Sequence, residues 1–287
     1  MTAPPLWKAS VTLPKELSSD VAALFELSPP APQAVLIVED PFGPEAIVEA
    51  LYDSKADADF LSRLIGHDVV VAPLPDQDWI KQSQEGLPPV RAGRFFVYGA
   101  HDAGAVPAGV IPIRIEAGLA FGTGHHETTA LCLNALSRLA KRRRFARVLD
   151  LGCGTGVLAI AAVKLWRQAV LATDIDSIAV GVARENAGAN RVAHLVRAVA
   201  ADGLAHPAIA SMAPFDLILA NILAAPLTQL APALSAAVAP RGIAVLSGLL
   251  RNQENFVLSF YRAHGLNLQE TLRDGPWSAL VLERGRG

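Results

Sequence analysis

The stretch Val148-Leu-Asp-Leu-Gly-Cys-Gly-Thr-Gly156 constrains the fold more than any other part of the chain. A short apolar run of strand length meets three glycines at alternate positions, and residues 157–166 then continue as an apolar helix. Strand, glycine turn and helix in that order open a β-α-β unit. Gly152, Gly154 and Gly156 permit a tight turn and a close backbone approach to a ligand, although a purely structural turn uses the same residues. From Arg94 onward strands and helices alternate. Strands are expected at 95–98, 110–115, 147–151, 169–174, 195–198, 216–220, 242–247, 267–272 and 278–283. Helices are expected at 127–140, 156–166, 177–189, 226–238 and 252–264. Near-continuous apolar strands such as Leu217-Ile-Leu-Ala220 imply a sheet covered on both faces, and 52% hydrophobic against 18% charged residues supplies the cover. The fold class is therefore α/β, a doubly wound, mostly parallel, Rossmann-like sheet.

A chain of 287 residues has room for more than this sheet. Residues 1–72 read as a small N-terminal α+β unit: strand at 7–13, helix at 15–27, then a break at Pro29, Pro30 and Pro32. Strands at 34–38 and 46–52, a helix at 56–65 and a strand at 69–74 complete a βαββαβ order, which suits a ferredoxin-like fold. Residues 45–51 also fit a helix. Residues 73–90 turn polar and read as a linker helix closed by Pro88 and Pro89. Within it, Trp79 either pins the linker or is an ordinary packed aromatic. Residues 91–287 form the ligand-binding domain.

A net charge of -2 argues against holding nucleic acid by neutralising phosphates. The basic run Lys141-Arg-Arg-Arg144 reads as a solvated helix end, where cations complement the dipole. Cys132 and Cys153 cannot make a disulfide framework, so a reducing compartment fits. The N-terminus has no export pattern, and no apolar run reaches the about 18 residues that span a bilayer. A cytoplasmic monomer, bound to neither membrane nor nucleic acid, is the expectation.

The glycine spacing separates ligands. Dinucleotide sites use G-x-G-x-x-G with a pyrophosphate at the helix N-terminus. Here the pattern is D-x-G-x-G-x-G, and its leading acid, Asp150, would repel a pyrophosphate but favour a cation such as the amino-acid end of S-adenosylmethionine. Asp174 ends the next strand, 22 residues after Gly152, where an acid can accept both ribose hydroxyls. Asp176 suits the cap of the helix beginning near Ser177. Asp202 could reach an adenine amine, and a turn role fits it equally well.

Asp150-Leu-Gly-Cys-Gly-Thr-Gly156 with Asp174-Ile-Asp176 resembles the class I S-adenosylmethionine-dependent methyltransferases. Gly118-Leu-Ala-Phe-Gly-Thr-Gly-His-His-Glu-Thr-Thr129, Ala220-Asn-Ile-Leu-Ala224 and Leu246-Ser-Gly-Leu-Leu250 narrow the resemblance to the ribosomal protein L11 methyltransferase family. It covers residues 75–283 and is only architectural over the first 72. The resemblance implies a seven-stranded sheet, S-adenosylmethionine as cofactor, an N-terminal unit that recognises substrate, and lysine or N-terminal amines of free L11 as acceptors. It also implies residue roles. Thr129 would reach the methionine part of the cofactor, Gly152 and Gly154 would lie against it, Asp174 would hold the ribose, and Asn221 would face both the methyl group and the amine.

Chemistry agrees with that role for Asn221. In-line methyl transfer needs alignment and a neutral amine rather than a covalent intermediate, and a lysine near its ordinary pKa is mostly protonated. An amide carbonyl can orient the lone pair of an amine neutralised by desolvation. The bland alternative is a helix-capping Asn before Pro226. Methylation of another protein lysine is a further possibility. Transfer to an RNA base or to glutamine is disfavoured because Asn221-Ile-Leu-Ala224 lacks the proline pair and aromatic that stack a planar nitrogen. A nicotinamide oxidoreductase is disfavoured by the glycine spacing, and a non-catalytic module by the intact Asp150, Gly152, Asp174 and Asn221. No metal is expected, since His125-His-Glu127 lacks the second His of H-E-x-x-H. Cys153 reads as a loop residue rather than a nucleophile.

Overall fold

A computed structural model describes residues 7–27, 32, 34–39, 44–52, 54–55, 57–59, 69–73, 89–115 and 126–286. The chain divides into two compact units, Met1–Asp78 and Trp79–Gly287. The division falls within the 73–90 segment, but the linker helix expected there lies almost wholly outside the described residues.

The first unit has strands β1 (Trp7–Pro14), β2 (Ala34–Glu39), β3 (Glu45–Tyr52) and β4 (Val70–Pro73), with helix α1 (Lys15–Leu27). They form one antiparallel sheet in the order β2-β3-β1-β4. The ambiguity over residues 45–51 resolves to strand for a physical reason. Ala46, Val48, Ala50 and Tyr52 alternate into the core beside Phe25, which is a period of two rather than 3.6. Glu49 breaks the pattern by being buried, and Lys8 answers its charge at 2.7 Å. The helix expected at 56–65 lies mostly outside the described residues.

In the second unit, β5 (Val90–Ala92), β6 (Phe95–Tyr98) and β7 (Ile111–Arg114) form a separate three-stranded sheet. The sequence placed two of these strands in the α/β alternation. They leave it because only a 3₁₀ turn, Ala100–Ala105, joins them.

The alternation proper begins with α2 (His126–Leu139), β8 (Val148–Leu151), α3 (Val157–Trp166), β9 (Val170–Asp174), α4 (Ser177–Ala189) and β10 (Val196–Ala200). It continues with α5 (Pro207–Met212), β11 (Phe215–Asn221), α6 (Ala224–Ala237), β12 (Val238–Leu250), α7 (Glu254–Ala263), β13 (Leu266–Asp274) and β14 (Trp277–Arg284). The seven-stranded sheet runs β10-β9-β8-β11-β12-β14-β13, parallel except where β14 meets β12 and β13. Leu217 and Leu219 of β11 join one core cluster, while Ile218 and Ala220 join the other. That division explains why the strand is apolar throughout: each face is covered. Helices α2, α3 and α4 pack on one face, and α6 and α7 on the other, where the Tyr261 hydroxyl donates to the Leu227 carbonyl at 2.9 Å.

Helix α5 escaped the sequence reading because six residues carry too little periodicity to register. By contrast, Asp176 takes its expected place. Its Oδ1 accepts from the Ile178 N–H at 2.8 Å and caps α4. Asp176→Ala is expected to destabilise the protein by about 1 kcal/mol, seen as a lower midpoint in a thermal melt.

Strand order reverses between β8 and β11, and in sheets of this kind ligands bind in the crevice beyond the carboxyl ends at such a point. Two segments far apart in sequence, the glycine loop after Leu151 and the chain after Asn221, thereby become neighbours.

Candidate active site

The glycine loop adopts the conformation its residues suggested. Gly152, Gly154 and Gly156 have φ of 68°, 50° and 77°, in the left-handed region that a side chain disfavours. The Cys153 N–H donates to the Thr173 carbonyl at 2.9 Å and ties the loop to the end of β9. At that end stands Asp174, partly exposed. Its Oδ2 accepts from the Gly154 N–H at 2.8 Å, and its Oδ1 from the Asp176 N–H at 3.0 Å. Each carboxylate oxygen keeps a second lone pair for a ligand.

Asp150, the leading acid of the loop, is wholly buried, and its Oδ2 accepts from the Ala159 N–H of α3 at 2.8 Å. An amide in the first turn of a helix has no partner within the helix, so the carboxylate satisfies it and anchors α3. Oδ1 takes no hydrogen bond among the described residues. Burial pushes the carboxyl up to about 7; the Ala159 N–H opposes the shift and the nearby Asp174 adds to it.

Across the crevice, Asn221 ends β11 with its amide held by α2. Nδ2 donates to Thr129 Oγ1 at 3.3 Å. Oδ1 is enclosed and unpartnered among the described residues. Its reading as a helix cap is excluded, because α6 starts at Ala224 and its N-cap is Leu223. Ile222 then reaches back to the glycine loop: a Cβ on Gly152 would lie 2.4 Å from Ile222 Cγ2. Gly152 is therefore also a packing site for the Asn221 segment.

The remaining residues separate cleanly. Burial and the Asp150 and Asp174 carboxylates push the Cys153 thiol far up, so it stays a thiol and a poor nucleophile. Cys132 is pushed up to about 12 by burial, partly offset by a hydrogen bond with Ser247. Asp202 is exposed, and its carbonyl closes a turn with the Ala205 N–H. The run Lys141-Arg-Arg-Arg144 follows the end of α2, with Arg143 over the Phe145 ring and donating to the Arg241 carbonyl at 2.8 Å. Residues 118–125 and the His126 side chain lie outside the described residues. Among the described residues no group of three His, Cys, Asp or Glu could hold a metal, and no helix is long and apolar enough to cross a membrane.

Sequence reasoning missed the support under the site. Ser247 and Ser278 are completely buried, and the Ser247 hydroxyl contacts the Ser278 carbonyl at 3.0 Å and the Thr128 carbonyl at 3.4 Å. The available signal was a serine and a glycine within an otherwise apolar stretch, Leu246-Ser-Gly-Leu-Leu250.

Comparison with known proteins gives one consistent result. A family profile described as ribosomal protein L11 methyltransferase (PrmA) matches residues 30–285. A relative of that name from Caulobacter sp. (strain K31) is 48% identical over 232 residues, covering 80% of each chain. Another from Brucella suis (strain ATCC 23445 / NCTC 10510) is 50% identical over 210 residues, covering 73% of this chain and 74% of its own. A crystal structure described as ribosomal protein L11 methylase from Lactobacillus delbrueckii subsp. bulgaricus superposes with a TM-score of 0.62 at 29% identity. It covers 70% of this chain and 100% of its own.

Proposed function

The chain belongs to the ribosomal protein L11 methyltransferase family, and we propose that it transfers methyl groups from S-adenosylmethionine to lysine or N-terminal amines of ribosomal protein L11. The observation that carries this reading is the Asn221 amide, with one end fixed by Thr129 and its carbonyl enclosed and, among the described residues, unpartnered. A buried acceptor without a partner costs about 1–3 kcal/mol. Asn221 is thus a group held ready for a donor that arrives with the reactants.

The residues present fit the cofactor. Asp174 has free lone pairs for two ribose hydroxyls. The left-handed glycines leave backbone rather than side chain facing the crevice. Thr129 accepts from Asn221 and keeps its own proton to donate, which suits the carboxylate of a methionine moiety. Asp150 contributes through α3 rather than by contact. When bound, the cofactor supplies an electrophilic methyl carbon on a sulfonium.

The chain's part is to align the acceptor. Asn221 Oδ1 accepts an N–H of the neutral amine and turns its lone pair towards the carbon. The amine nitrogen becomes cationic as its new bond forms, so this hydrogen bond strengthens in the transition state. The first unit, with a core of its own, is the substrate-recognition element, and residues 73–90 link it to the catalytic unit. The substrate is free L11, met in the cytoplasm by a monomer. The balance of 25 basic against 27 acidic residues favours an enzyme that holds neither RNA nor membrane.

Asp174→Ala is expected to weaken S-adenosylmethionine binding about tenfold to a hundredfold, the loss of charge-assisted hydrogen bonds. Titration calorimetry checks it, and unchanged affinity removes Asp174 from the ribose role. The function itself is tested by adding labelled cofactor to dissociated ribosomal proteins and ribosomal RNA together. Label is expected in L11; label confined to RNA or to other proteins would overturn the proposal.

A further inference from the structure

We propose that Ser247 and Gly248 form a positioning element that sets the Asn221 amide without touching either reactant. This rests on the reading of Asn221 given above. In the parallel pairing of β11 with β12, Ser247 is the register partner of Asn221. On the other side of β12, the pairing with β14 slips between Leu246 and Leu249, so Ser247 and Gly248 occupy a bulge. Bulges beside a site re-aim what the strand carries.

Each residue of the bulge constrains a different end of Asn221. The Ser247 hydroxyl spans the carbonyls of Ser278 and Thr128. Thr128 is itself buried, and the next residue is Thr129, whose hydroxyl accepts from the Asn221 amide. Ser247 is thus one peptide away from the contact that sets the rotation of the amide.

Gly248 acts on the backbone. Its φ is 84°, and a Cβ there would lie 2.3 Å from the Ile222 carbonyl oxygen and 2.7 Å from the carbonyl carbon. These are main-chain atoms, so no side-chain rotation relieves the overlap. Ile222 directly follows Asn221 and also lies against Gly152. The residue that carries Asn221 into the crevice is therefore gripped between two left-handed glycines, one on the cofactor loop and one on β12. This grip makes the distance between Asn221 and the glycine loop a property of β12.

The test is a double-mutant cycle. Ser247→Ala removes one hydroxyl, and is expected to lower kcat for L11 about tenfold to a hundredfold, the cost of a small misplacement. KM and cofactor affinity are expected to stay nearly unchanged. Gly248→Ala is expected to do the same more severely, with a thermal melt reporting whether the variant is folded. In the Asn221→Ala background, Ser247→Ala is expected to change kcat by less than about twofold, because residues acting as a unit are non-additive. Unchanged kcat in Ser247→Ala, or an equal loss with and without Asn221, would overturn the inference. Full activity of Asn221→Ala alone would instead overturn the reading of Asn221.

Discussion

Asn221→Ala is expected to lower kcat on L11 by about 10²-fold or more, with a much smaller change in cofactor affinity. The size follows from the task. Methyl transfer in line with a sulfonium carbon leaves little for the protein to do beyond alignment and stabilisation of the charge developing on nitrogen, and one misplaced or missing group costs about this much. The direction of the split follows from the geometry. In the proposed reading, ribose and methionine contacts lie with Asp174, the glycine loop and Thr129, whereas the Asn221 Oδ1, unpartnered among the described residues, is left for the amine. Single-turnover kinetics beside a binding titration separates the two. A variant that loses affinity and keeps its turnover at saturating cofactor would place Asn221 on the cofactor alone.

Asp150→Asn is expected to stabilise the folded protein above neutral pH and to do nothing below about pH 4. Burial raises the folded carboxyl from 3.8 to about 7, so the native state keeps its proton after the unfolded chain has lost it. The resulting stabilisation is complete below the unfolded value and is lost as pH rises through about 7. A rise of that size corresponds to roughly 4 kcal/mol at most between those limits. An amide at this position keeps an acceptor for the Ala159 N–H and has no charge to bury. Thermal melts of both proteins from pH 4 to 9 measure the difference; one that stays constant with pH would show that Asp150 is ionised throughout.

Much of this was legible in the sequence because strand, turn and cap residues are local. The glycine loop, the acid ending β9, the Asp176 cap and the apolar strands with helices on both faces follow from patterns a few residues long. Asn221 was legible through its neighbours in sequence, although only the fold brings it to Thr129. The bond from Ala159 to Asp150 was not legible, because spacing alone does not say what a buried strand residue touches. The Ser247 and Gly248 bulge was hidden for a related reason. A bulge depends on the partner strand, and β14 lies about thirty residues further along the chain. Strands β5, β6 and β7 form their own sheet because a 3₁₀ turn replaces the crossover helix, a tertiary outcome that apolar runs do not encode.

Transfer to an L11 amine, aligned by Asn221, is tested most directly by mass spectrometry of purified L11 after incubation with the enzyme and S-adenosylmethionine. The expected result is a gain of whole methyl increments, mapped to lysine side chains or the N-terminal amine, with the wild-type chain and a near-complete loss of that gain with Asn221→Ala. Unmodified L11 in the presence of an enzyme that binds the cofactor, or equal modification by Asn221→Ala, would contradict it.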